Sequence, residues 1–232
     1  MATNGFHYIG LGLYTVPQAS QLSHVSVGRI RRWMRGYTFT TKSGPHKSPP
    51  VVTSVLPSLD GAAILTFLDL QEVRFVDAFL ETGVHWKTLR EAHTNAQEVL
   101  GSYPFSRGRF VTDGRAIFED LARGAARSDA ALLDMVSGQG SFNRIVRPFI
   151  ATLKFTTDGQ AREWWPLGKS RHVVVDPQRS FGQPIVPREG VPTAILAKAY
   201  KAEGSIRQVA RWFDVNERSL RDAIDFEAKL AA

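Results

Sequence analysis

The apolar positions of this 232-residue chain change their period several times, and each change predicts an element. From Leu68 to Leu100 they fall at helical spacing through Leu70, Val73, Val76, Phe79 and Leu80. They stop at Gly83 and resume through Trp86, Leu89 and Ala92, which predicts two helices with a break between them. Two later stretches, Phe110–Phe118 and Ala151–Trp165, each place an Asp-Gly pair (Asp113-Gly114, Asp158-Gly159) between alternating apolar positions. That pattern predicts two hairpins, because the tight two-residue turn wants positive φ. Between them Leu132, Leu133 and Val136, then Ile145, Val146, Phe149 and Ile150, fit short helices or a further strand. After Pro177 a run of glycines and prolines precedes a helical segment.

The spacing near each end is more particular. A helix-turn-helix buries apolar side chains at roughly positions 4, 8, 10, 15 and 18 of about 20 residues, with a small residue at about position 5. Counting from Ile206 places Val209, Phe213, Val215, Leu220 and Ala223 at those sites and Ala210 at the small one; Asp214 takes the turn. Ser205 is a cap for the first helix, with Gln208 placed to complete a capping box, and Asn216 caps the second. In that frame Arg218, Ser219, Arg221 and Asp222 project from the early second helix, with Arg207 and Arg211 on the first.

Counting from Val16 gives Ala19, Ser20, Val25, Ile30 and Trp33, with Ser23 and His24 departing from the pattern and Ser26 capping the second helix. Here Ile30 and Trp33 face inward, whereas Arg29, Arg31, Arg32 and Arg35 are offered outward. A recognition helix needs that division, with guanidinium groups directed at phosphates and guanine edges. Ser43-Gly44-Pro45-His46-Lys47-Ser48-Pro49-Pro50 then reads as the polar loop of a wing that leads into the β-branched run Val51–Val55.

Charge strengthens the N-terminal reading. The 29 basic and 22 acidic side chains give a net charge of +7, and residues 29–47 hold Arg29, Arg31, Arg32, Arg35, Lys42 and Lys47 with no acid. A one-sign surface of this kind attracts a phosphate backbone. Ser26, Arg29, Arg31, Arg32, Arg35, Tyr37, Lys42 and Lys47 are therefore the candidate DNA contacts. Arg207, Arg211, Asn216, Arg218, Ser219 and Arg221 are a second set, for DNA or a protein partner.

Other chemistry is thinly represented. With no cysteine, disulfides and thiolate zinc sites are excluded, and a reducing compartment is favoured. The six histidines lack metal-site spacing, Ile9-Gly10-Leu11-Gly12-Leu13 lacks the third glycine of a dinucleotide motif, and no nucleophile sits beside a base. Asp69, Glu72 and Asp77 read as a solvated or salt-bridged helix face. The longest apolar stretch, Gly61–Leu68, is far shorter than the roughly 20 residues of a membrane span. Met1–His7 has no secretion signal. The expectation is a cytoplasmic protein with no cofactor, no metal, no catalytic residue and no membrane association.

The segment Tyr14-Thr15-Val16 … Val25-Ser26 … Arg29-Ile30-Arg31-Arg32-Trp33, with Thr82–Arg90 as a second helix pair, resembles the start of MerR-type winged helices across about residues 8–100. The larger wing loop and the lack of a long C-terminal coiled coil depart from that family. Asp176–Val186, then Gly190-Val191-Pro192-Thr193 and Gly204-Ser205-Ile206 with a helix pair, resembles a small domain of VapB-type antitoxins paired with PIN-like toxins. Where that family often reads Gly-Thr-Arg, this chain has Glu189-Gly190-Val191. The combined resemblance implies a longer VapB-type antitoxin carrying an N-terminal helix-turn-helix.

The fold expected is mainly α with small β hairpins, an α+β protein in three parts. Residues 1–100 form a MerR-like winged helix, 101–175 a mixed α/β middle region with hairpins, and 176–232 a trihelical helix-turn-helix-like antitoxin domain. The function expected is a non-enzymatic DNA-binding antitoxin and autorepressor. Its partners would be double-stranded operator DNA, a PIN-like ribonuclease toxin and a second copy of the chain as a homodimer. The alternatives are a stand-alone helix-turn-helix transcription factor and, from another class, an RNA-processing enzyme.

Overall fold

The computed structural model describes residues 8–52, 54, 56–57, 61–124 and 141–231. Strand β1 (Leu13–Thr15) runs directly into α1 (Val16–Ser23), and α2 (Val27–Arg35) follows after a short turn. Strands β2 (Tyr37–Thr41) and β3 (Gly44–Ser48) form a hairpin. Strand β4 (Ile64–Thr66) pairs antiparallel with β1, Tyr14 opposite Leu65, and leads into α3 (Phe67–Glu81) and α4 (Trp86–Leu100).

The two strand-helix-turn-helix units are built alike. Thr15 and Thr66 each end a three-residue strand and cap the next helix in a capping box, with Gln18 and Asp69 as the reciprocal partners. The two-helix reading of residues 68–100 therefore holds, with the break at Thr82–His85. The wing is displaced from where the sequence pattern put it. Gly44–Ser48, read as the loop, is itself the second strand, and Val51 and Val52 pack beneath the hairpin instead of pairing in it, 3% and 1% exposed. Their backbone N–H groups bond to the Trp33 carbonyl at 2.8 and 3.2 Å, a closure that alternation along the chain does not encode.

The middle region adds α5 (Phe110–Gly124), α6 (Ser141–Ala151) and strands β5 (Leu153–Phe155) and β6 (Ala161–Trp164). The hairpin expected over Phe110–Phe118 is a helix. Phe110, Ile117 and Phe118 fall on one helical face and are buried, and Gly114 lies against the Phe110 ring. A Cβ on Gly114 would come 2.6 Å from that ring, so this glycine makes room for packing and turns nothing. The second Asp-Gly pair does form a hairpin: Gly159 takes φ +83°, and β5 pairs with β6. Ile145, Val146, Phe149 and Ile150 lie on α6. Leu132, Leu133 and Val136 lie outside the described residues.

Strands β7 (Val174–Val175) and β8 (Pro184–Ile185) extend the last sheet in the order β5-β6-β7-β8, all antiparallel. Helices α7 (Thr193–Glu203), α8 (Ile206–Trp212) and α9 (Glu217–Leu230) close the described chain. The whole is a helix-rich α+β fold with small antiparallel sheets, as the sequence pattern predicts.

Two apolar cores organise these elements. The larger one collects side chains from Tyr14 to Val175 and joins the helix pairs to α5, α6 and the sheet through packed rings of Phe75, Phe79, Phe105, Phe110, Phe118 and Phe142. The smaller one gathers Val186, Leu196, Val209, Val215, Leu220 and Ala223 among α7–α9. Phe226 of α9 belongs to the larger core.

Polar contacts also tie the last helix to the rest. Asp222, read from spacing as projecting outward, is buried and accepts from Arg171 Nε, from the His172 backbone N–H at 2.8 Å and from His172 Nδ1 at 2.8 Å. Arg171 also donates to Asp225 at 2.8 Å. Burial works against the Asp222 charge, but the His172 bonds and the Arg171 guanidinium outweigh it and hold the carboxyl below the ordinary carboxylate range.

A group depressed in this way contributes stability above its unfolded pKa, about 3.9 for Asp, and loses it as the pH falls toward the folded value. Wild-type melting temperature should therefore drop on acidification below about pH 5, with a shallower drop in Asp222→Asn. At neutral pH the variant should be less stable by about 1–2 kcal/mol, a modest figure because the Arg171 side chain is one-third exposed. Equal acid slopes in the two proteins, read by thermal melts, would place the titrating carboxylate elsewhere.

Candidate nucleic-acid interface

The turn between α1 and α2 explains the two residues that fit the template least. Ser23 Oγ donates to the Ala19 carbonyl at 2.6 Å and accepts the Val25 N–H at 3.3 Å, and His24 takes the left-handed conformation at φ 59°. A hydroxyl and a positive φ thus make the turn that a glycine usually makes. Ser26 begins α2 by accepting the Arg29 N–H at 3.3 Å, so its side chain serves the helix first.

On α2, Ile30 and Trp33 are buried and Arg31, Arg32 and Arg35 are exposed, the division that the spacing predicts. Arg29 behaves differently. Its guanidinium is 2.8 Å from Asp77 and 3.5 Å from Glu81 on α3, and lies 5.0 Å from the centroid of the Trp33 ring. Arg29 therefore fastens α2 to α3, and its charge is already spent. Arg35 donates to the Gly61 carbonyl at 3.2 Å. Arg31 and Arg32 have no ion-pair partner among the described residues.

The hairpin stands beside this helix. Lys42 is in its turn and Lys47 is on β3, both exposed, while Tyr37 is half-buried at its base. Phe39, 43% exposed, stacks on His46 across the strands at 5.7 Å. The base of the hairpin is bolted to both helix pairs. Trp33 stacks on Trp86 at 6.1 Å and 16°, and Ser48 Oγ accepts from Trp86 Nε1 at 3.1 Å and Arg90 Nη1 at 3.2 Å. Spacing alone did not select Ser48, Trp86 and Arg90; the pairing of Tyr37 with Ser48 brings them together.

Gly36 makes that approach possible. At φ +70°, a Cβ there would lie 2.3 Å from the Ser48 carbonyl oxygen. Gly36→Ala should cost about 2 kcal/mol or more and loosen the hairpin from α2. A melting temperature equal to wild type in a thermal unfolding series would contradict this account of the junction.

At the C-terminal pattern, α8 and α9 start at the expected caps, although of the expected Ser205–Gln208 capping box only the Ser205 half is present. Ser205 accepts the Gln208 N–H at 3.3 Å, Asn216 Oδ1 accepts the Arg218 N–H at 2.8 Å, and Asp214 takes the left-handed turn at φ 50°. The outward set is smaller than spacing suggests. Ser219 is buried at 5% exposure, Asn216 is committed to its cap and Arg221 pairs with Glu217 at 2.9 Å. Arg207, Arg211 and Arg218 remain exposed with no ion pair among the described residues. Beside Arg211 stands Trp212, 56% exposed, which the template passes over because it falls between buried positions.

The α1–turn–α2 geometry, with the basic hairpin beside it, is that of a helix-turn-helix. Residues 12–93, from β1 into α4, match the family described as "Putative DNA-binding HTH domain". Over 221 residues the chain is 26% identical to "Putative antitoxin VapB45" of Mycobacterium tuberculosis, with 92% of each chain covered. The X-ray crystal structure of Rv2018 from Mycobacterium tuberculosis has the same fold, with a TM-score of 0.73, 24% identity and coverage of 94% of this chain and 99% of that one. The resemblance to a VapB-type antitoxin with a helix-turn-helix thus holds over nearly the whole chain.

Proposed function

We propose that the chain is a DNA-binding antitoxin that represses its own operon and neutralises a PIN-like ribonuclease. The observation that carries the DNA half is the exposed Arg31, Arg32 and Arg35 edge of α2 beside a hairpin holding Lys42 and Lys47 and no acid. Phosphate contacts from the hairpin lysines would fix orientation, and α2 would read base edges. Ser26 and Tyr37 would act close to the helix start and the wing base. Arg29 would contribute by seating α2.

The antitoxin half is supported by the relative's name and its coverage of nearly the whole chain. We assign toxin contact to the C-terminal helices, where Arg207, Arg211 and Arg218 flank the exposed Trp212. Arginine and tryptophan are the side chains that most often anchor protein interfaces, and an arginine suits the acidic centre of a metal-dependent nuclease. We place the protein in the cytoplasm as a homodimer, since a two-fold operator rewards paired recognition helices about one DNA turn apart.

The test is coexpression of the chain with the product of the adjacent reading frame, followed by copurification and footprinting on the upstream DNA. Copurification of a nuclease-like partner, loss of its ribonuclease activity in the complex and a two-fold footprint are expected. DNA protection without a partner would favour a stand-alone transcription factor. RNA cleavage by the purified chain would defeat the non-enzymatic reading.

A further inference from the structure

Beneath the first helix-turn-helix lies a cavity of about 480 Å³, walled by α1, α3, α6, the strand-β6 segment and α9. This volume falls in the range of small-molecule sites, roughly 300–1,000 Å³. Much of the wall is apolar, with Leu22, Trp164, Leu167, Phe226 and Leu230 contributing. Set into it is the guanidinium of Arg74, 3.9 Å from the centroid of the Trp164 ring and 4.9 Å from that of Phe149.

Arg74 donates to Gln71 Oε1, and no carboxylate lies within ion-pair distance of it among the described residues. Asp77, one turn further along α3, is already held by Arg29. Burial pushes the Arg74 pKa down to about 9, so the group stays charged at neutral pH while poorly compensated. Desolvated arginines are normally matched by an anion. The two aromatic faces offset part of the cost and leave N–H donors at the edge of the guanidinium.

We propose that this cavity binds a small organic acid with a planar apolar body, its carboxylate on the edge of Arg74 and its body against Leu22, Leu167 and Phe226. The apolar wall favours a carbon skeleton over inorganic phosphate. Asp77, Glu81 and Lys229 line the same cavity, so the two carboxylates offset the two cations of the wall and disfavour a multiply charged anion. These two carboxylates also hold Arg29 of α2, so an occupant displaces or tightens the tether that seats the recognition helix. That coupling rests on the DNA-binding reading; the binding site does not.

The full chain is titrated with benzoate and indole-3-acetate against their neutral amides, benzamide and indole-3-acetamide, by thermal shift and calorimetry. The acids should raise the melting temperature, and the amides should bind at least about tenfold more weakly. Arg74→Gln should remove the response. Because that variant risks misfolding, Ala78→Leu, which narrows the cavity while keeping Arg74, should remove it as well. No binding of either acid, equal binding of acids and amides, or a wild-type response in Ala78→Leu overturns the proposal. Operator affinity measured with and without the acid then separates the two claims: a bound acid that leaves DNA affinity unchanged removes the coupling and keeps the site. A protein that binds the acid and no DNA removes the functional reading alone.

Discussion

Replacing Arg31 and Arg32 together by alanine is expected to cripple binding to operator DNA while leaving the fold intact. Both side chains are exposed on α2 and neither has an ion-pair partner among the described residues, so their removal leaves no buried group unmatched. An arginine that reads a base edge is worth about 1–3 kcal/mol, and one on a phosphate contributes about one unit to the salt slope. The double variant should thus lose on the order of tenfold or more in affinity and show a flatter dependence of log K on log salt. Fluorescence anisotropy across a salt series measures both quantities, and thermal melts confirm that folding is unchanged. An affinity and slope equal to wild type would move the DNA surface away from α2. Arg29→Ala is a different experiment, because it unseats α2 from Asp77 and Glu81.

The second large effect concerns stability. Glu72 is 1% exposed and accepts from His93 Nε2 at 2.9 Å, Ser106 N–H at 2.9 Å and Ser106 Oγ at 2.7 Å. It joins α3, α4 and the turn that precedes α5, directly against the phenylalanine cluster, with His93 edge-on to Phe105. Glu72→Ala leaves several buried donors without an acceptor and should cost about 3–5 kcal/mol. Glu72→Gln keeps the shape and one acceptor, and should cost clearly less. Denaturant titration of the three proteins decides it, and two variants of equal stability would show that neither the shape nor the remaining acceptor at position 72 contributes.

Glu72 also shows what sequence can and cannot reveal. Asp69, Glu72 and Asp77 follow one another at helical spacing, and an exposed acidic stripe is the ordinary reading of such a pattern. In the fold Asp69 is buried in a capping box, Glu72 is buried in its network and Asp77 is half-buried against Arg29. The partner of Asp69 is the cap of its own helix, Thr66, but those of Glu72 and Asp77 lie on other elements, and period along a single helix carries no information about them.

The two Asp-Gly pairs teach a related lesson. Asp158-Gly159 forms the expected turn, whereas Asp113-Gly114 sits inside a helix because Phe110, four residues earlier, needs the space. A dipeptide identifies a turn only when no large side chain one helical turn away competes for the glycine. The helix-turn-helix pairs were legible because their buried positions are fixed by a short turn between two helices. The hairpin was misplaced by several residues because Pro45, Pro49 and Pro50 suggest a loop, while Pro45 is tolerated on a two-stranded ribbon whose outer edge needs no donor. The exposed basic positions followed from charge and spacing together, whereas the pairing of Arg29 did not, because its partners come from a helix about fifty residues further on.

Phe226 gives the order in which the chain must be made a practical meaning. It fills part of the core beneath the first helix pair, and Tyr14, on β1, donates to the Gly182 carbonyl at 2.7 Å. A growing polypeptide that has released residues 12–93 from the ribosome still lacks both contacts. Until α9 has been synthesised, the helix-turn-helix would stand over an open seam, exposed to chaperones and proteases. The packing of the first helix pair is therefore complete only once the last helix has appeared.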